Sequence, residues 1–177
     1  MRPNWFLSLP LIITSGLIGV ATDAAAQDRA AAEVADRDGT FLGTVHLRET
    51  PSGFVRINIA LNGLPEGGYG IHLHETGDCS ADDFSSAGGH IADGRSHGVG
   101  VDGGPHPGDL PNLIVPGSET VNVEHFTQML DIESMIFDED GAAFIVHSEE
   151  DDYVSQPSGD AGDRMACGDF VRRVDEG

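Results

Sequence analysis

The chain has 177 residues and a formal net charge of −21, with 30 Asp+Glu against nine basic residues, all arginine. Such a surface repels nucleic acid and anionic membranes, so neither is an expected partner. Hydrophobic residues make up 39% and alternate in runs, which excludes a disordered acidic chain, and the length suits one domain with a real core.

The N-terminus reads as an export signal. Arg2 gives a thin positive start, residues 6–21 are apolar, and Ala24, Ala25 and Ala26 offer a small-residue cleavage site before Gln27. The apolar run is short for a membrane span and is broken by Pro10 and Gly16. The expected organisation is a signal peptide over 1–26 and one domain over 27–177, periplasmic or secreted, with no membrane attachment after cleavage.

Residues 27–32 read as a short tail, and from Ala31 the pattern changes to strands. Residues 40–49 carry Phe41, Val45 and Leu47 with a glycine interruption. A Pro51-Ser52-Gly53 turn signal follows, and then residues 54–61 alternate, with Val55, Ile57, Ile59 and Leu61 on one face. The two runs predict an antiparallel hairpin. A short strand is expected over 69–74. Residues 76–112 hold no periodic segment and are rich in Gly, Asp, Ser, His and Pro; a loop of that length inside a compact domain is usually functional or disordered. Strands return at 113–115, 119–126 and 142–147. A second irregular stretch, 148–166, precedes a final strand over 167–171. Short strands, turn signals and no amphipathic helix predict an all-β sandwich or barrel.

The chemistry-bearing residues lie at the strand ends and in the irregular stretches. His72 and His74 sit at i and i+2, which on a strand sends both rings to one face, though this spacing also arises by chance. His90, His97, His106 and Asp109 make a three-nitrogen, one-oxygen set of the kind zinc accepts. The alternative is a solvated polar loop with incidental histidines. His147 closes a predicted strand, and with His72, His74 and His90 it would complete an all-imidazole copper site. His46 and His125 lie within predicted strands and read as structural. Cys79 and Cys167 are the two cysteines of the chain, and in an exported protein an even pair reads as a disulfide. The long loop it would close makes the constraint on the unfolded chain worth roughly 4–5 kcal/mol.

These stretches together resemble the copper–zinc superoxide dismutases, specifically the exported bacterial branch. The match is carried by residues 70–79 (GIHLHETGDC), 86–90 (SAGGH), 104–111 (GPHPGDLP), 151–162 and 164–168 (RMACG), in that order. The resemblance implies a Greek-key β-sandwich or flattened barrel with two long functional loops, and an enzyme that dismutes superoxide. It implies copper on His72, His74, His90 and His147, and zinc on His97, His106 and Asp109 with His90 as the shared bridge. Arg164 would dock the anion and act catalytically beside His90. Asp151 would link a copper histidine to a zinc histidine, and Cys79 would pair with Cys167. It leaves a homodimer as one open assembly.

Three departures accompany the resemblance. One residue fewer separates His90 from His97 than the family has, which is expected to alter the zinc geometry. Gly141-Ala142 replaces the family's Gly-Arg, and Asp169 stands where an apolar residue is usual. The acidic run over 149–152, with Asp160 and Asp163, predicts weak long-range steering of an anion, screened further by salt beyond roughly 10 Å. Two other readings remain open from the residues: a dismutase-like protein that binds copper and zinc without turnover, and a structural β-sandwich that binds no metal.

Overall fold

The computed structural model describes Met1, residues 30–118 and residues 120–173. Apart from Met1, the expected signal peptide lies outside the described residues. No described helix is long and apolar enough to cross a membrane.

The described residues form β1 (Ala30–Asp36), β2 (Phe41–Glu49), β3 (Val55–Asn62), β4 (Gly67–Tyr69), β5 (Ile71–His74), β6 (Leu113–Val115), β7 (Thr120–Thr127), a single helical turn α1 (Ile132–Met135), β8 (Ala143–His147) and β9 (Arg164–Arg172). Seven strands make one sheet in the order β5-β8-β9-β1-β2-β3-β7, and β4 pairs with β6 separately. All described pairings between strands are antiparallel. The pairings β3–β7 and β5–β8 step over intervening strands, as Greek-key connections do. The expected all-β fold therefore forms.

Alternation decides which side chains turn inward. Val45 and Leu47 of β2, Ile57, Ile59 and Leu61 of β3, Leu73 of β5, Phe144 and Val146 of β8, and Leu113 and Val115 of β6 share one buried cluster. The long sheet curls around this cluster, and the short sheet adds Tyr69, Leu113 and Val115 to it. Each buried Ile, Leu or Phe contributes about 1.5–3 kcal/mol. The predicted hairpin is present, with Val45 opposite Ile59 and Leu47 opposite Ile57. Its glycine interruption has a steric cause: Gly43 lies against the main chain of Ala60, where a Cβ would collide with the carbonyl, and the β1–β2 register shifts beside it.

Two elements depart from the sequence reading. The segment read as a tail contains the start of β1, whose Ala-rich sequence carries little intrinsic strand preference. It is a strand because β2 and β9 pair with it on both sides, a tertiary effect invisible to periodicity. The last strand begins at Arg164, three residues earlier than expected, because Arg164 pairs with His147 across a register shift.

β4 and β5 are one run that changes partner at Gly70. The Gly70 N–H donates to the Glu149 carbonyl (2.7 Å), and the Gly70 carbonyl accepts from His147 N–H (2.8 Å). This switch places β5 at the end of the long sheet with one edge open.

Candidate metal centre

The irregular segment after β5 folds back onto that open edge. Glu75 N–H donates to Gly89 O, Ile91 N–H to Leu73 O and Leu73 N–H to Gly108 O, each at 2.9 Å. Edge pairing thereby brings His90 beside His74 and Asp109 beside His72. Gly108 is required here, since a Cβ would run into the Leu73 carbonyl and the Ile91 main chain. A second small cluster, Phe84, Ala87, Ala143, Ile145 and Cys167 with Cys79 against it, fastens the first part of the segment to β8 and β9. The Cys79–Cys167 disulfide crosses the same contact.

Four imidazoles meet at the end of β5. The ligand atoms of His72, His74, His90 and His147 lie within 4.8 Å of one another, and all four residues are buried. Each ring's proton position follows from its partners. His72 Nε2 lies 2.8 Å from Asp151 Oδ2, so Nε2–H donates and Nδ1 is left bare. His74 Nδ1–H donates to the Gly88 carbonyl (3.0 Å), leaving Nε2 bare. His147 Nδ1–H donates to Gly162 O at 3.4 Å, the weakest of the set, and again leaves Nε2 bare. His90 engages Asp109 through Nδ1 (3.0 Å). The atoms His72 Nδ1, His74 Nε2, His90 Nε2 and His147 Nε2 are buried and have no hydrogen-bond partner. Four convergent bare imidazole nitrogens are a donor set suited to copper.

The second set centres on Asp109. Its Oδ1 lies 3.0 Å from His90 Nδ1, 3.0 Å from His97 Nδ1 and 3.1 Å from His106 Nδ1. Its Oδ2 accepts from Gly98 N–H (2.8 Å) and His106 N–H (2.9 Å), which fixes the carboxylate. His97 is fully buried and faces a carboxylate oxygen at both ring nitrogens, Asp109 at Nδ1 and Asp151 at Nε2 (3.0 Å). A neutral imidazole can donate at only one nitrogen. A cation held by Nδ1 and Asp109 would satisfy that side, as a second ring proton would, and would leave Nε2–H to donate to Asp151. His97 is thus in contact with both acids. The ligand atoms of His72, His90, His97 and Asp109 also fall within 4.8 Å of one another. His72 thus falls in both groups: Asp151 holds its Nε2, its bare Nδ1 faces the first, and His106 lies beside Asp109 Oδ1 in the second.

Burial sets the protonation of these rings. Desolvation pushes His74 down to about 2, His147 to about 3 and His90 to about 4, and it lowers His72 against the opposing pull of Asp151. All four are neutral and ligand-competent at neutral pH. Burial raises the Asp109 carboxyl, but bonds from His90, Gly98 and His106 outweigh it and the net direction is down. Asp151 follows the same pattern, with His72, Tyr153 and His97 outweighing burial. Both acids are charged, as cation ligands and their partners must be.

Arg164, half-buried at the start of β9, completes the site. Its Nη1 donates to Phe84 O and its Nη2 to Gly88 O, both at 2.6 Å. Gly88 O thus holds His74 and Arg164 together. Through that shared carbonyl Arg164 sits beside His74 of the first set, and its charge adds to the depression of His74 and His147. His46, on β2, and His125, on β7, belong to neither set.

The sequence was silent on Asn112 as a supporting residue. Asn112 Nδ2 donates to Asp151 O (2.8 Å), and Asp151 N–H donates to Asn112 Oδ1 (2.9 Å), so one amide fixes the main chain of Asp151 on both sides. Its position three residues after Asp109 is the only local signal.

Residues 41–170 match the family model described as copper/zinc superoxide dismutase. The chain belongs to the copper/zinc superoxide dismutase family. Within that family it is 34% identical to the superoxide dismutase [Cu-Zn] 2 of Aquifex aeolicus, over 89% of this chain and 95% of that protein. It is 37% identical to the superoxide dismutase-like protein YojM of Bacillus subtilis, over 77% of this chain and 72% of that one. A crystal structure of a dismutase-like protein from Bacillus subtilis superposes with a TM-score of 0.77 at 35% identity, covering 83% of this chain and 100% of the other. Family membership, two groups of side chains able to hold a metal ion and the disulfide make the coarse functional description.

Proposed function

We propose that this chain dismutes superoxide to oxygen and hydrogen peroxide, with copper on His72, His74, His90 and His147 and zinc on His90, His97, His106 and Asp109. The observation that carries the reading is the set of four buried, convergent nitrogens that no protein group satisfies. Copper, when bound, supplies one-electron chemistry that one superoxide can reduce and a second reoxidise, whereas zinc has no redox chemistry and serves structure.

The residues of the chain account for the rest. Arg164 offers a permanent charge with planar donors beside the copper set, and two carbonyls pin its guanidinium, so it can dock a diatomic anion. His90 faces one metal set with each ring nitrogen. Its Nε2 can hold a proton in one half of the cycle and pass it to the departing peroxide. Asp151 holds His72 and His97 at once and so fixes the relative position of the two sets. Asp152, Asp160 and Asp163 are exposed on the adjoining loop, which makes Arg164 the main local attractor and predicts a rate that depends weakly on salt.

A second reading, metal binding without turnover, is kept because one relative is named as dismutase-like. The placement of Arg164 favours the first. Superoxide consumption by the copper- and zinc-loaded protein separates them: turnover well above that of the metal-free chain is expected, and bound metal with no turnover would leave the second reading. The disulfide and the N-terminal apolar run support a periplasmic or secreted location.

A further inference from the structure

The loop between β8 and β9 grips His97 in two different ways. Asp151 holds the ring through Nε2 (3.0 Å). Gln156 holds the main chain. Its Oε1 accepts from His97 N–H (2.9 Å) and its Nε2 donates to His97 O (2.8 Å), across 59 residues of sequence. One side chain therefore satisfies both main-chain polar groups of His97, much as a neighbouring strand would. The amide orientation is chemically determined, because the same Nε2 also donates to Val154 O (3.0 Å). Reversal would set two carbonyls against Oε1 and an N–H against the amino group.

The contact continues along the chain. Gly100 N–H donates to Tyr153 O (3.1 Å), and Gly98, at φ +90°, presses on the Tyr153 carbonyl with no room for a Cβ. Residues 97–100 thus lie along residues 153–156. This part of the metal loop has no strand of its own.

We propose that Gln156 is a positioning residue for His97, fixing the main chain of that ligand from the opposite loop and so setting the cation affinity of the Asp109-centred set. The proposal rests on the assignment of zinc to His90, His97, His106 and Asp109. Without the amide, His97 N–H and C=O lose their partners in a partly buried position, and the ring relies on Asp109 and Asp151 alone. The copper set contains no part of His97, and the Asp151–His72 bond does not involve Gln156. Its effect reaches His72 only indirectly, through the Asp151 carboxylate that both rings share, and therefore falls mainly on one of the two metals.

Cobalt(II), a coloured probe of four-coordinate zinc sites, and copper(II) are titrated separately into the metal-free full chain and into Gln156→Met and Gln156→Glu. Methionine keeps the length and loses the amide. Glutamate can still accept from His97 N–H but sets a carboxylate against His97 O and Val154 O. The expected result is a loss of about 10–100-fold in cobalt affinity for Q156M, the scale for removing the partner of a metal ligand, with a larger loss for Q156E and a far smaller change in copper affinity. Equal cobalt affinity in wild type and Q156M would overturn the proposal. So would a parallel loss of copper and cobalt affinity with a lowered melting midpoint, which would mean general damage. A wild-type chain that takes up no cobalt would overturn the zinc assignment itself, and the proposal with it.

Discussion

His72, His74 and His147 stand on strands, whereas His97, His106 and Asp109 stand on the irregular segment between β5 and β6. The first three are placed by a ladder in which Ile71 pairs with Val146 and His72 with Ile145, among fully buried neighbours such as Leu73 and Phe144. Of the second three only Asp109 touches the ladder, through its bridge to His72; His97 and His106 are held by Asp109 Oδ1, and the opposite loop bonds to His97. Hydrophobic burial of the sheet preforms one half of the centre. The other half owes its order to polar contacts, and a cation there adds binding free energy to folding. His90 belongs to both halves, with Nδ1 at Asp109 and Nε2 in the buried quartet.

The strongest break of this comparison is His90→Ala, which removes the shared ring. Activity of the copper- and zinc-loaded protein is expected to fall by about 100-fold or more, the scale for losing a group that transfers a proton in the reaction. Steady-state superoxide consumption measures it, and full retained activity would defeat the bridging role.

Leu73→Ala strikes the preformed half from behind, between two histidines on β5. Unfolding of the metal-free protein by urea should show a loss of about 2–5 kcal/mol. Copper affinity should fall more than cobalt affinity. An equal fall would mean that the strand ladder does not govern the first set in particular.

Arg164→Ala leaves every imidazole in place. A charged hydrogen bond to a docked anion is worth about 1.5–3 kcal/mol, so kcat/KM should drop about 10–100-fold with copper and zinc content unchanged. Metal loss in this variant would instead assign Arg164 to holding Gly88 and, through it, His74.

The gentlest probe is pH acting on the metal-free protein. His74, His147 and His90 are held at about 2, 3 and 4, against 6.5 for the unfolded residue. Below pH 6.5 the unfolded chain binds protons that the folded chain refuses, so stability falls as pH drops from about 6.5 towards 4. The slope is up to about 1.4 kcal/mol per pH unit for each ring. Asp109 and Asp151 are shifted down from 3.8, and their contribution is lost only below that value. Melting midpoints at pH 7, 6 and 5 test the window. A flat profile would mean that the rings are not buried as neutral imidazoles.

How far each half could be foreseen follows from the same physics. Period-two alternation marks β2 and β3 plainly, and the i, i+2 spacing puts His72 and His74 on one face once a strand is granted. The ligands of the loop became legible through several motifs in a fixed order, because nothing in local periodicity places His97 near Asp151. β1 showed only as a change of pattern at Ala31, without bounds, since three alanines carry no strand signal and its pairing partners lie on β2 and β9. Asn112 and Gln156 escaped for a related reason: each acts on a main chain 39 or 59 residues away, and only the docking of two loops brings them there.

The account stands on one imidazole serving two metal sets. Electron paramagnetic resonance of the chain loaded first with copper(II) and then with cobalt(II) tests this directly. Copper alone should give the signal of a nitrogen-ligated ion, and cobalt should abolish or strongly broaden it through the shared His90 ring. A copper signal left unchanged after cobalt has bound would contradict the account.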